Sequence, residues 1–85
     1  MPDPRVSPVA DVLRMMIEAL TDFPSTITAV EADGCTTFTV TTDTRDTGKL
    51  IGKQGRTAKS IRTILSAIGA AEGHRYALDI VQPKP

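Results

Sequence analysis

The sequence predicts a small α+β domain in which a three-stranded mixed sheet is covered on one face by three helices, in the order α-β-β-α-α-β. Three observations carry that prediction. Apolar residues recur at helical spacing in two long stretches and at a spacing of two in three shorter ones. Asp33 and Gly34 form a turn signal between the first two of those short runs. The third run follows only after a helical stretch of more than thirty residues, which is long enough to bring it back parallel to the second.

The opening "MPDPRV" has two prolines and no periodicity, so residues 1–7 are read as an arm. Ser7 is a suitable helix cap, and Pro8 at the first helical position gives up an N–H that has no partner there. Val9, Val12, Leu13, Met16, Ile17 and Leu20 then form one helical stripe, which Pro24 ends. The β-branched run from Ser25 to Glu31 predicts a strand. Beyond the Asp33-Gly34 turn, "CTTFTVTT" places Phe38 and Val40 on one face and Thr37, Thr39 and Thr41 on the other, as in a half-buried strand.

Thr44 to Ile51 reads as a two-turn helix capped by Asp43 or Thr44, with Leu50 and Ile51 turned inward and Gly52 as its breaker. A longer helix runs from Gly55 to about Ile68, with Ala58, Ile61, Ile64, Leu65 and Ile68 on its core side. Gly69 and Gly73 bracket a loop, and "RYALDIV" closes the sheet with Tyr76, Leu78 and Ile80 alternating against Arg75, Ala77 and Asp79. Residues 83–85 are a tail, which leaves 8–82 as a single domain.

With 40 % hydrophobic and 24 % charged residues over 85 positions, the chain is neither disordered nor membrane-spanning by composition. "VADVLRMMIEAL" is interrupted by Asp11, Arg14 and Glu18 and so lacks the apolar middle of a signal peptide; the expected location is cytoplasmic. Cys35 and His74 are single representatives of their types, which excludes an internal disulfide and argues against a metal cluster.

Ten basic and ten acidic residues cancel, yet they are segregated. Residues 1–46 hold three basic groups against eight acidic ones, whereas residues 47–71 hold Lys49, Lys53, Arg56, Lys59 and Arg62 and no acid. A local positive field of that kind suits an anionic partner even on a neutral molecule; a solvated helix face would show the same charges. Arg56, Lys59 and Arg62 lie within an arc of about 120° on the second long helix.

At the centre of the basic segment stands "GKLIGKQGRTAKSIR". Gly52 and Gly55 lack Cβ atoms, so the backbone there can take positive φ and approach a ligand. Gly55 also opens the next helix, whose unpaired N–H groups and dipole favour an anion, and Lys53 and Arg56 add full charges. A plain helix-capping turn is the alternative that these glycines alone would also fit. A nucleotide-triphosphate loop is excluded, because three residues rather than four separate Gly48 from Gly52 and Gln54 stands where Ser or Thr would hold Mg²⁺. No strand precedes the glycines, which removes the dinucleotide-binding reading. No nucleophile-base set or carboxylate pair identifies an enzyme.

"LIGKQGRTAKSIR" resembles the signature of KH domains, an aliphatic pair, G-x-x-G, a basic residue and a helix with Ile, here Leu50, Ile51, Gly52, Lys53, Gln54, Gly55, Arg56 and Ile61. The element order resembles the type II arrangement, and length and layout are similar to the bacterial KhpA family, small proteins made of one KH domain. The resemblance implies single-stranded RNA as ligand, held without catalysis or cofactor, by a chain acting as an RNA chaperone or post-transcriptional regulator. It implies Gly52, Lys53, Gln54 and Gly55 on the backbone, Arg56 and Lys59 on phosphates, Lys49 or Arg62 extending the track, and Ile51, Ala58 and residues 75–77 as groove wall with "GAAEGH" as rim. Aromatics make up only 4 % of the chain, so a stacking platform is not the expected mode. Association with a second, larger KH-containing protein, or with itself, is also implied. The alternatives are a protein-interaction scaffold, for which Met15 and Ala19 mark a surface to test, and an accessory factor of ribosome maturation.

Overall fold

The computed structural model describes residues 6–82, the side chains of residues 6 and 7 aside. Its elements are α1 (Val6–Leu20), β1 (Thr26–Ala32), β2 (Cys35–Thr41), α2 (Thr44–Ile51), α3 (Arg56–Glu72) and β3 (Arg75–Val81), with one 3₁₀ turn, Lys53–Gly55, between α2 and α3. The predicted α-β-β-α-α-β order is therefore present, and the sheet is mixed as expected. The α+β class holds. Most of the predicted arm, residues 1–5, and the tail, residues 83–85, lie outside the described residues.

Helix α1 opens at Val6, so Pro8 stands third in the helix and not first. Every N–H of the first turn lacks an intrahelical acceptor, which makes proline tolerable there too. The Ser7 side chain, expected as the cap, is outside the described set. Val9, Leu13 and Ile17, four apart, form the buried seam, while Val12 and Leu20 of the predicted stripe are 41 % and 37 % exposed. The helix meets the rest of the core along a seam narrower than the apolar pattern it carries.

Asp33 and Gly34 both adopt positive φ, +52° and +74°, the pairing that turns a two-residue hairpin with the right twist. Strands β1 and β2 pair antiparallel, from Thr26 opposite Thr41 to Ala32 opposite Cys35. Strand β3 pairs parallel to β2, from Cys35 opposite Arg75 to Thr41 opposite Val81, so β2 is central and β3 is an edge. Phe38 and Val40 are fully buried on the helix-covered face, with Thr36 beside them. Tyr76 and Leu78 from β3, Leu50 from α2, and Ile61 and Leu65 from α3 complete one core with the α1 seam. Phe38 and Tyr76 stack at 5.8 Å between ring centroids.

Two predictions for α3 are corrected. The helix continues to Glu72, so "GAAE" is its last turn and not a loop. Gly69 is needed inside the helix because the His74 carbonyl oxygen lies 2.2 Å from where a Cβ would stand. Gly73, at φ +69°, provides the left-handed stop, and the His74 N–H returns to the Gly69 carbonyl at 2.9 Å. His74 is buried, with Nε2 2.7 Å from the Thr36 hydroxyl, a structural tie between α3's end and β2. Ile64, expected in the core, is 43 % exposed. It falls one position off the seam made by Ile61, Leu65 and Ile68.

Candidate nucleic-acid interface

Helix α2 is anchored at its start by Asp43, whose carboxylate accepts from the Arg45 N–H at 2.9 Å and pairs with the Arg45 guanidinium through Nε and Nη2. Hydrogen bonds from the Arg45 side chain, and then from its backbone, hold the Asp43 carboxyl down to about 2. One turn on, the buried Asp46 carboxylate accepts from the N–H groups of Asp22 and Phe23 at 3.1 and 2.9 Å, tying the α1–β1 connection to α2. Burial alone would raise this carboxyl. The two backbone donors and Lys49 outweigh it and leave it below the ordinary carboxylate range.

Lys49 donates to Asp22 and lies 3.3 Å from Asp46. Asp22 first, and Asp46 with it, push the Lys49 ammonium above its usual value. Lys49 is therefore compensated by two carboxylates brought from outside the basic segment, and its charge does not add to the field of that segment as the sequence implied.

Helix α2 stops at Gly52, φ +77°, whose N–H bonds the Gly48 carbonyl at 2.9 Å. The chain then makes the 3₁₀ turn with Gln54 at φ +58° and Gly55 at φ +74°. The two glycines serve different ends. A Cβ on Gly52 would stand 2.2 Å from Thr57 Oγ1 and 2.8 Å from the Thr57 nitrogen, so that space is used by the first turn of α3 itself. A Cβ on Gly55 would meet nothing within 4 Å, which leaves the backbone open on that side. Gly55 is the N-cap of α3 and no side chain caps it, so the first N–H groups of α3 have no side-chain acceptor.

Around this turn Lys53, Gln54, Arg56 and Lys59 are exposed, and Gly52 and Gly55 are half-buried. Arg56 Nη2 donates to Gln54 Oε1 at 3.2 Å, which braces the left-handed Gln54. Among the described residues, Lys53, Arg56 and Lys59 pair with no carboxylate. Arg62 turns elsewhere: Nε and Nη2 both donate at 3.3 Å to the Leu78 carbonyl on β3.

The predicted groove residues divide. Ile51, expected to turn inward, is 42 % exposed beside the Lys53–Gly55 turn, whereas Ala58 is buried in the core. Arg75 and Ala77 are exposed on the face away from the helices, with Tyr76 buried on the other. "GAAEGH", expected as a rim of the groove, lies at the far end of α3, roughly 20 to 25 Å along the helix from Gly55 at 1.5 Å per residue. Sequence reasoning missed Asp22 and Asp46 as partners of Lys49 and the Leu78 carbonyl as partner of Arg62. The i, i+3 spacing of Asp46 and Lys49 was a readable signal for the first, and nothing local announces the others.

No helix among the described residues is long and apolar enough to cross a membrane, and no group of three or more His, Cys, Asp or Glu side chains is placed to hold a metal ion.

Comparison with known proteins adds a family. The family model described as "KhpA/KhpB, KH domain" matches residues 10–80. The chain is 35 % identical over 79 residues to the RNA-binding protein KhpA of Aquifex aeolicus (strain VF5), with 91 % of this chain and 100 % of that protein covered. It is 34 % identical over 74 residues to the RNA-binding protein KhpA of Listeria monocytogenes (strain ATCC BAA-679 / EGD-e), covering 85 % and 97 % of the two. It is 36 % identical over 73 residues to that of Treponema pallidum (strain Nichols), covering 84 % and 91 %.

Proposed function

Because the chain belongs to the KhpA/KhpB KH-domain family, we propose that it binds single-stranded RNA without catalysis, through a backbone clamp at Gly52, Lys53, Gln54 and Gly55. The observation that carries this reading is the open side of Gly55 at the uncapped start of α3, flanked by Lys53, Arg56 and Lys59 with no carboxylate partner among the described residues. The Gly55 N–H bonds the Gly52 carbonyl and the Arg56 N–H the Lys53 carbonyl, so the turn offers a phosphate its open face and the positive end of the α3 dipole, and the three cations neutralise the charge that follows. Ile51 supplies an apolar contact beside the turn. The names of the relatives, RNA-binding proteins, favour the same ligand. In the cell this binding serves an RNA chaperone or post-transcriptional regulator, with residues 8–82 as the binding unit.

The test replaces Lys53 and Gln54 together by Asp, confirms the fold by circular dichroism, and titrates a short single-stranded RNA. Two carboxylates in the clamp abolish binding in the expected result. Three phosphate contacts give the wild type a slope of log K against log salt of about −2, or roughly a 20-fold loss between 50 and 200 mM. Undiminished RNA affinity in a folded double mutant overturns the clamp.

A second reading is favoured by Met15, which is 71 % exposed on α1 with Ala19 one turn on. There the domain pairs with a larger KH-containing protein or with itself, and the RNA site works within that pair. Retention of partner binding in the Lys53, Gln54 double mutant, with RNA binding lost, would separate the two surfaces.

A further inference from the structure

Strand β1 lies at one edge of the sheet, and among the described residues no strand pairs with its outer side. The phase of its hydrogen bonds follows from β2. The Gly34 carbonyl and the Thr42 N–H both bond to β3, so the even-numbered residues of β2 turn their polar groups to β3 and the odd-numbered ones, Cys35 to Thr41, turn theirs to β1. Their partners on β1 are Thr26, Thr28, Val30 and Ala32. Ile27 and Ala29 therefore direct N–H and C=O outward, along the edge.

Edge strands are commonly guarded by lysine, proline, a bulge or a covering element. The strand reads TITAVEA, without lysine or proline, and it pairs with β2 residue for residue from Thr26 to Ala32, so it has no bulge. Ile27 is partly buried; Thr26, Thr28, Ala29, Val30 and Ala32 are exposed, Val30 by 64 %. Ala29 is exposed although it shares the helix-side face with its partner Phe38, so the helix layer stops short of β1.

We infer that β1 is a docking edge for β1 of a second copy of this chain, paired antiparallel about a twofold axis at Ala29. The strand is complementary to itself in that register. Ala29 of each copy exchanges both main-chain bonds with Ala29 of the other, because both direct them outward. Ile27 then lies opposite Glu31, and Thr28 lies opposite Val30 as a β-branched pair on the open face. The single charge of the strand meets an isoleucine, whereas a register centred on Glu31 sets two carboxylates face to face. The product is one continuous sheet with β3 at both ends and the helices of both copies on the same face. This surface is not the α1 face around Met15, and it owes nothing to the RNA-clamp reading. A strand pair without a second layer is a small interface, so the dimer exchanges with monomer at roughly micromolar concentrations.

Sedimentation equilibrium of the full chain, from about 5 to about 500 µM, reads the association. The expected mass rises from 9.1 kDa toward twice that value. Ala29→Pro removes the outward N–H and sets a ring in its place, which an edge strand tolerates and a paired one does not. The expected variant keeps its circular dichroism spectrum and stays at 9.1 kDa. Ala29→Lys and Ala29→Glu keep the N–H and decide the matter if proline unfolds the hairpin. Each alone sets like charges across the axis and weakens association by about 3-fold or more, and an equimolar mixture of the two restores it. Recovery in the mixture is specific to an interface in which position 29 faces itself. A monomer at every concentration overturns the inference, as does undiminished association of folded Ala29→Pro or of both charged variants, or a mixture no stronger than either alone. RNA plays no part in these readouts, so the clamp stands or falls separately.

Discussion

The two glycines of the proposed clamp look alike in sequence and are unlike in the fold. Gly52→Ala forces a Cβ to 2.8 Å from the Thr57 backbone nitrogen and a positive φ on a residue with a side chain, so both α2's end and α3's start must shift. Gly55→Ala bears only the cost of the left-handed conformation, about 1 kcal/mol. Urea unfolding is expected to show a loss about twice as large or more for Gly52→Ala as for Gly55→Ala. Lys49 is the second case. Its ammonium is held by Asp22 and Asp46, so Lys49→Ala lowers the melting temperature and leaves the salt slope of RNA binding unchanged, whereas Lys53→Ala reduces that slope by about 0.7. The positive-φ turn at Gly52 and Gly55 was legible because a local pattern fixes a local shape. The fate of Lys49 was not, because Asp22 reaches it from 27 positions away.

At the scale of elements, boundaries set by local chemistry were read closely. The short helix Thr44–Ile51, the Asp33-Gly34 hairpin and the strand Arg75–Val81 lie where the sequence placed them. The end of α3 was misread because Gly69 resembles a stop, while its actual role is to admit the His74 carbonyl, a contact visible only once β3 is in place. Apolar stripes were read too widely for the same reason: Val12 and Ile64 carry the right periodicity, but only the packed helices decide which edge of a stripe is covered. The start of α2 makes a pH-dependent contribution. Asp43 has a folded-state pKa of about 2 against a reference of 3.8, so its contribution is complete above the reference value and disappears as pH falls through the folded one. Asp43→Asn retains a capping oxygen without the charge. Its thermal stability should fall below wild type at about pH 6 and converge with it near pH 2; a constant difference across that range would contradict the assignment.

On the scale of the whole molecule, the segregation of charge was legible as arithmetic and was then modified by folding. The acidic N-terminal half supplies Asp22, which with Asp46 neutralises one end of the basic segment, and the uncompensated positive groups narrow to the turn and the first face of α3. The single core joins every helix to the two strands that flank the crossover, with Val9, Leu13 and Ile17 meeting Phe38, Leu50, Leu65 and Leu78. That crossover has a kinetic meaning. The parallel pairing of β2 with β3 closes a loop that contains residues 42–74, and so contains the entire proposed clamp. The entropy of closing that loop is recovered only when β3 docks on β2. The motif is complete in sequence at Arg62, before β3, the strand that closes the loop around it, begins at Arg75. A variant ending at Gly73 is accordingly expected to show no cooperative thermal transition by circular dichroism and no RNA binding, although every residue of the clamp is present. On the proposed reading, RNA binding depends on β3 being docked as well as on the clamp residues themselves.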